Sequence, residues 1–240
     1  MKAKLVKELD YFLINIMDTK VIMTPEFFLT GFPPQINYTV DQVVCLLNKI
    51  ETDNAFIGYA EIDSGKLFSS YSGKLGEEFI HIRKEKAYRK TERRYISNGL
   101  TKPKVIETQT LGSILPLICY DAYRYSENLP KDSIDVILVP SYWKLLHGNL
   151  LERCKKMSTD NSCIVINIDY FHGIHLFKNG ELVKQRWTEK PFFKCACCEN
   201  EATDYCWNCC QELCEEHILY FEPRKGLCSA CQYLSRLDSH

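Results

Sequence analysis

No stretch of the 240-residue chain approaches the ~18 consecutive apolar residues that a membrane-spanning helix needs. Nor is there an excess of charge of either sign. Lys and Arg number 30 against 31 Asp and Glu, a formal net charge of -1. That balance argues against a nucleic-acid binder held by bulk charge. Internal repeats and low-complexity segments are missing too, which excludes solenoids and arrays. The opening segment carries Lys7, Glu8 and Asp10, so it lacks the unbroken apolar stretch of a secretory leader. An amphipathic helix over residues 3–17, with Leu5, Leu13, Ile14 and Met17 on one face, is the reading that remains. These exclusions point to a cytoplasmic protein without membrane or nucleic-acid partners, in a compartment where thiols stay reduced.

Cysteine is what the chain has in plenty. Nine of its 13 cysteines lie between Cys195 and Cys231, and only Cys45, Cys119, Cys154 and Cys163 are scattered through the rest. The asymmetry marks a domain boundary near Lys190-Pro191, giving domains 1–190 and 191–240. A chain the size of the first domain buries roughly 70% of its unfolded surface and needs no cross-links.

Within that domain, short apolar runs alternate with helical patterns. Strands are predicted over 19–24, 55–62, 65–71, 79–83, 114–118, 135–140 and 162–168, and helices over 40–51 and 150–161, the first capped by Thr39 or Asp41. Asp63-Ser64-Gly65 and Lys178-Asn179-Gly180 are tight-turn signals, the second joining hairpin strands 173–177 and 181–185. The pattern indicates a layered α/β fold.

Two strand exits carry chemistry. The run Ile114 to Ile118 is apolar throughout and leads into Cys119, and ligands of open α/β sheets bind just beyond the carboxyl ends of strands. A thiol there is a nucleophile if a neighbour removes its proton; otherwise it fills a core like other free cysteines. Glu26 ends the strand 19–24, between Pro25 and Phe27-Phe28. It suits proton transfer if it faces Cys119, and is an ordinary turn residue if it faces water. The mixed-charge stretch from Arg83 to Arg94 reads by itself as solvated surface.

Taken in order, Pro25-Glu26-Phe27-Phe28-Leu29-Thr30-Gly31-Phe32, then Tyr88-Arg89-Lys90-Thr91, then Leu117-Ile118-Cys119-Tyr120-Asp121 resemble the nitrilase superfamily of carbon–nitrogen hydrolases. Asp135 to Ser141, Asn161, Asn167 and the hairpin from Gly173 to Gly180 fall where that family has similar elements, and the likeness covers roughly residues 5–188. The resemblance implies an α-β-β-α sandwich, here shortened at its N-terminus because a helix stands where the family opens with a strand. It implies a Glu-Lys-Cys triad: Cys119 as nucleophile, Glu26 as general base and Lys90 as stabiliser of the developing negative charge. The Tyr120 backbone N–H joins Lys90 in holding the oxyanion. Lys84 and Lys86 are rivals, but only Lys90 follows the Tyr-Arg pair. The family also has a second Glu several residues after the Lys. Counted from Lys90, Glu92 comes too soon, and Asn98 stands near the expected place as a hydrogen-bonding support. A thiol beside a lysine is expected to have more thiolate character than Cys45, Cys154 or Cys163.

The tail holds four pairs at metal-ligand spacing: Cys195 and Cys198, Cys206 and Cys209, Cys214 and His217, Cys228 and Cys231. Eight ligands suffice for two tetrahedral structural Zn2+ ions, and the segment has too few aliphatic residues to fold on a core of its own. A disulfide scaffold is the competing reading; the absent leader and the His in register argue against it. Spacing leaves the pairing of sites open. The order resembles B-box and related cross-braced fingers, which implies Cys195, Cys198, Cys214 and His217 at one metal and Cys206, Cys209, Cys228 and Cys231 at the other. Cys197 and Cys210 are left over. The expectation is therefore an amidase-like hydrolase acting on a small amide, with no catalytic cofactor and a zinc module for a protein partner; a homodimer is compatible with it. The alternative is a catalytically silent scaffold of the same fold, recruiting its partner through the finger.

Overall fold

The computed structural model describes residues 12–30, 32, 34, 36–88, 92–129, 133–143 and 147–186, and the backbone of 204–205, 212–213, 219–222 and 225–227. The N-terminal and C-terminal halves of the first domain each build one sheet.

The first sheet has five strands in the order β1 (Leu13–Ile16), β2 (Thr19–Met23), β3 (Asn54–Asp63), β4 (Lys66–Leu75) and β5 (Glu78–Arg83). All neighbours are antiparallel except β2 and β3. That parallel pair needs a crossover, and helix α1 (Val40–Leu47) supplies it. Thr39 caps α1 in a capping box with Gln42, as the sequence suggested, and the helix buries Val43 and Leu47. The β3–β4 turn places Ser64 at φ 50° and Gly65 at φ 75°, the two positive φ values of a type I′ hairpin.

One expectation fails here. Residues 13–16 form strand β1, not the end of a helix. Their apolar spacing fits a helix face, but the burial alternates: Ile14 and Ile16 are buried, Leu13 is half-buried and Asn15 is exposed. Positive φ at Met17 (47°) and Asp18 (66°) then turns the chain back into β2. β1 covers the outer side of β2, so the sheet is not left open there.

The second sheet runs β11 (Glu181–Arg186), β10 (Gly173–Lys178), β9 (Ile164–Asp169), β8 (Val136–Ser141), β7 (Gly112–Pro116) and β6 (Ile106–Thr108). Its three central strands are parallel and almost wholly apolar, as strands buried on both faces must be. Helices α2 (Tyr120–Tyr125) and α3 (His147–Asn161) make the two crossovers. One buried cluster joins both sheets and both long helices: Ile14, Met23 and Ile57 from the first sheet, Leu115, Ile137 and Ile166 from the second, Val43 of α1 and Leu150 and Met157 of α3. The arrangement is helix, sheet, sheet, helix, and both sheets direct strand exits to one place.

In the tail, backbone is described for two small hairpins, β12 (Asp204–Tyr205) with β13 (Glu212–Leu213) and β14 (Leu219–Glu222) with β15 (Lys225–Leu227). The eight cysteine and histidine positions assigned to zinc all lie outside the described residues. The first hairpin encloses one pair, β12 ending one residue before Cys206 and β13 one before Cys214, and β14–β15 lies between His217 and Cys228.

Candidate active site

Glu26 is set by its backbone. Beyond β2, Thr24 N–H donates to the Phe56 carbonyl at 3.0 Å and the Thr24 hydroxyl accepts from Gly58 N–H at 3.0 Å. β3 therefore runs tight against Pro25 and Glu26. A Cβ on Gly58 would lie 2.2 Å from the Pro25 carbonyl oxygen, which only glycine avoids. Phe27 follows at φ 58°. The Glu26 side chain is buried, not solvated, and its Oε1 accepts from the Ser69 hydroxyl of β4 at 2.6 Å.

The cation at Glu26 is Lys84, the first residue beyond β5. Its Nζ donates to Glu26 Oε1 at 2.9 Å and to Glu92 Oε1 at 2.7 Å. Its backbone N–H is held by the Ser69 carbonyl at 2.8 Å, so Ser69 positions both members of the ion pair. Burial alone would lower the Lys84 pKa, but the Glu26 and Glu92 carboxylates hold it well above its ordinary value. Glu92 is pushed up to about 7, first by burial and then by Glu26, with Lys84 opposing. Its Oε2 accepts from Tyr88 N–H.

Cys119 lies three residues beyond β7 and opens α2 at φ 49°, ψ -103°, a strained conformation for a residue with a Cβ. Its N–H donates to the Pro140 carbonyl at 2.8 Å. The sulfur feels the charges of Glu26, Lys84 and Glu92 together and accepts from Tyr142 N–H. Burial pushes the thiol well above its usual range and Glu26 adds to that, while Lys84 and Tyr142 pull it down. Burial and two carboxylates thus oppose the thiolate character that the neighbouring lysine favours. Cys154 and Cys163 are buried as well, Cys163 being pushed up to about 11 by burial; Cys45 is exposed.

The structure brings Glu26 and Cys119 into one charged cluster. Lys90 lies outside the described residues, and the lysine joined to Glu26 is Lys84. The strand exit marked it better than the Tyr-Arg pair did. Glu92, eight residues on from Lys84, accepts from its Nζ. Asn98 does not reach the lysine; its Oδ1 accepts from Ala87 N–H at 2.9 Å, which steadies the loop between Lys84 and Glu92. The stretch from Arg83 to Arg94 is not uniformly solvated, because Lys84 and Glu92 neutralise each other indoors while Arg93 and Arg94 stay exposed.

Asp121, which sequence reasoning did not single out, fastens the lysine loop to the cysteine helix. It is buried, and its carboxylate accepts from Glu85 N–H at 2.8 Å and Lys86 N–H at 3.4 Å. Burial lifts it to about 6 against those bonds. Glu85 in turn takes Arg124 Nη1 at 2.7 Å and the Tyr125 hydroxyl. Tyr120 packs its ring on Tyr88 at 4.8 Å. Phe27, Phe32, Tyr142, Tyr170 and Phe171 form one connected set and Tyr88, Tyr120, Tyr123 and Trp143 another. Among the described residues no group of three or more His, Cys, Asp and Glu is arranged to hold a metal ion, and no helix is long and apolar enough to cross a membrane.

No family model and no curated protein sequence matches the chain. Solved structures do. A carbon–nitrogen hydrolase superfamily protein from Xanthomonas campestris, with an arsenic adduct in its active site, superposes with a TM-score of 0.61 at 15% identity, covering 79% of each chain. An amidase from Nesterenkonia gives a TM-score of 0.59 at 14% identity over 70% of this chain and 73% of that one. A variant of that amidase, in which acrylamide has added to the active-site cysteine, gives 0.59 at 13% identity over 70% of this chain and 76% of that one. Over the part of the chain that they cover, these solved structures share its fold.

Proposed function

We propose that the protein is an amidase-like carbon–nitrogen hydrolase in which Cys119 is the nucleophile, Glu26 the general base and acid, and Lys84, in place of Lys90, the electrostatic stabiliser. The observation that carries this is the simultaneous bonding of Lys84 Nζ to Glu26 and Glu92, with all three charges acting on the Cys119 sulfur. The cysteine-bearing amidase neighbours support the same reaction class.

The thiol is neutral at rest, so deprotonation belongs to the attack itself. As the Cys119 sulfur bonds to the amide carbon, its proton passes to Glu26, and the carbonyl oxygen becomes an oxyanion held by Lys84 Nζ and the Tyr120 N–H. Collapse of the tetrahedral adduct breaks the carbon–nitrogen bond. Glu26 gives its proton to the leaving nitrogen, and ammonia or an amine departs from the thioester. Glu26 then takes a proton from water, whose oxygen attacks the thioester carbon; collapse releases the acid, and the proton returns to sulfur. Lys84 stays a cation throughout. Glu92 holds it in place from the side away from Glu26. Aromatic walls favour a small amide with an uncharged acyl group.

The silent-scaffold reading drew on a missing second Glu; the bond between Lys84 and Glu92 supports the hydrolase reading instead. The test is ammonia release from a panel of short aliphatic and aryl amides by the full chain. Release that Cys119→Ala abolishes is expected; no release from any amide would overturn the reading.

For residues 191–240 the proposal is a separate B-box-like module with two structural Zn2+ ions, cross-braced as the sequence order implies, offering a surface to a protein partner. Two hairpins, one enclosing Cys206 and Cys209 and one between His217 and Cys228, support it. Such ions would tie ligand thiolates together and supply on the order of 10 kcal/mol of folding free energy per site. Metal analysis should find two zinc ions per chain, with Cys206→Ser releasing one and leaving amidase activity intact. Disulfides and no zinc would overturn it.

A further inference from the structure

Tyr142, just past the second sheet, brings a backbone donor to the Cys119 sulfur. It stands just beyond β8, where chain would otherwise be free to peel away. Its two neighbours are both tied to a single carboxylate. Asp169, at the end of β9 and fully buried, accepts from the Ser141 hydroxyl at 2.7 Å and from Trp143 N–H at 2.9 Å, both through Oδ2. Its Oδ1 accepts from Phe171 N–H at 2.9 Å and His172 N–H at 3.1 Å. Asn167 completes the brace, donating to the Ser141 hydroxyl at 2.9 Å and to the Val139 carbonyl at 3.0 Å. Tyr170 N–H returns to the Ser141 carbonyl at 3.2 Å.

We infer that Asp169 is a positioning residue for the nucleophile: by gripping the residues on either side of Tyr142, it holds the Tyr142 N–H against the Cys119 sulfur. The inference rests on the reading of Cys119 as the nucleophile. A carboxylate that merely closed the turn after β9 would need only Phe171 and His172. Two of its four bonds instead cross to the neighbouring strand and straddle Tyr142. Four donors are what a carboxylate needs when it is taken out of water. The charged and titratable groups facing the two ends are His172 at Asp169 and Glu26, Lys84 and Glu92 at Cys119.

The test reads the sulfur, not turnover. In the full chain carrying Cys45→Ser, alkylation of Cys119 by acrylamide is followed by peptide mapping across a range of pH. Asp169→Asn should slow alkylation at fixed pH about tenfold, the loss of one hydrogen bond to a charged group, and move the pH profile upward. Removing a negative charge without moving Tyr142 would shift the profile downward, so the sign separates positioning from plain electrostatics. A folded Asp169→Asn protein with an unchanged or lowered profile overturns the inference. If Asp169→Asn does not fold, Ser141→Ala decides in the same way: a smaller upward shift is expected, and no shift overturns it. Ammonia release by the wild-type chain tests the hydrolase reading separately, because alkylation is measured whether or not an amide is turned over.

Discussion

Lys84 Nζ lies 2.7 Å from Glu92 Oε1, eight residues further along the chain, and both side chains are buried. With Glu26 on the other side at 2.9 Å, the lysine bridges two carboxylates, one of them beside the nucleophile. Four consequences can be measured.

Replacing Lys84 removes the oxyanion donor and leaves two buried carboxylates facing each other. Lys84→Met should lower kcat by about 10²- to 10³-fold, the usual cost of losing such a donor. It should also destabilise the fold by about 3–5 kcal/mol, as breaking a buried pair does. Lys90→Ala should keep kcat within a few-fold. Steady-state assays and urea melts of both variants check this; the opposite pattern would return the role to Lys90.

Glu92 gives a pH dependence of defined sign. Its pKa rises from 4.5 to about 7 on folding, chiefly by burial, so the native state keeps a proton that the unfolded chain has lost. The contribution is full below 4.5 and falls away as the pH rises through about 7. Glu61 acts in the other sense. Burial would raise it, but bonds from His81, Arg83 and Ser70 hold it at about 2, so its contribution is present above 4.5 and is lost as the pH falls toward 2. Urea midpoints of Glu92→Gln should lack the decline between 4.5 and 7 that the wild type shows; an identical slope in both proteins would contradict the assignment.

Turnover and thiol reactivity should separate in Glu26→Gln. The variant has no base to take the proton, so amide hydrolysis should fall by about 10²-fold or more. Yet the Glu26 charge is one of the forces raising the Cys119 pKa, and its removal leaves Lys84 less opposed. Acrylamide should therefore still add to Cys119, at an equal or greater rate than in the wild type. Intact mass after timed exposure reads the adduct, and a variant that loses both properties would show that Glu26 is needed for folding instead.

Gly58 should tolerate no side chain. A Cβ there meets the Pro25 carbonyl oxygen at 2.2 Å and Glu26 Cα at 2.9 Å, both backbone atoms that cannot swing aside. Gly58→Ala is expected to cost about 1–3 kcal/mol, as overpacking does, and to lower kcat by displacing Glu26. Gly65→Ala, at a turn where the added Cβ meets nothing within 4 Å, should leave kcat unchanged and so serves as the comparison.

The sequence by itself determined the elements whose signal is local. The apolar strands β7 to β9, the capped helix α1 and the turns at Ser64-Gly65 and Asn179-Gly180 follow from composition, capping and turn chemistry over a few residues. It also marks Glu26 and Cys119 as strand exits, because an exit is visible wherever an apolar run stops. Only the tertiary structure decided which lysine joins them. Lys84, Lys86 and Lys90 are equivalent by composition, and a charged side chain is buried only if partners from other elements close around it. Glu26 beyond β2, Ser69 from β4 and Glu92 do so for Lys84 alone among the described residues. The same reason explains β1, whose apolar spacing suited a helix until pairing with β2 fixed its period. It explains Asp169 too: a carboxylate amid apolar strand residues has no local signature, and its grip on the chain around Tyr142 exists only once β8 and β9 lie side by side.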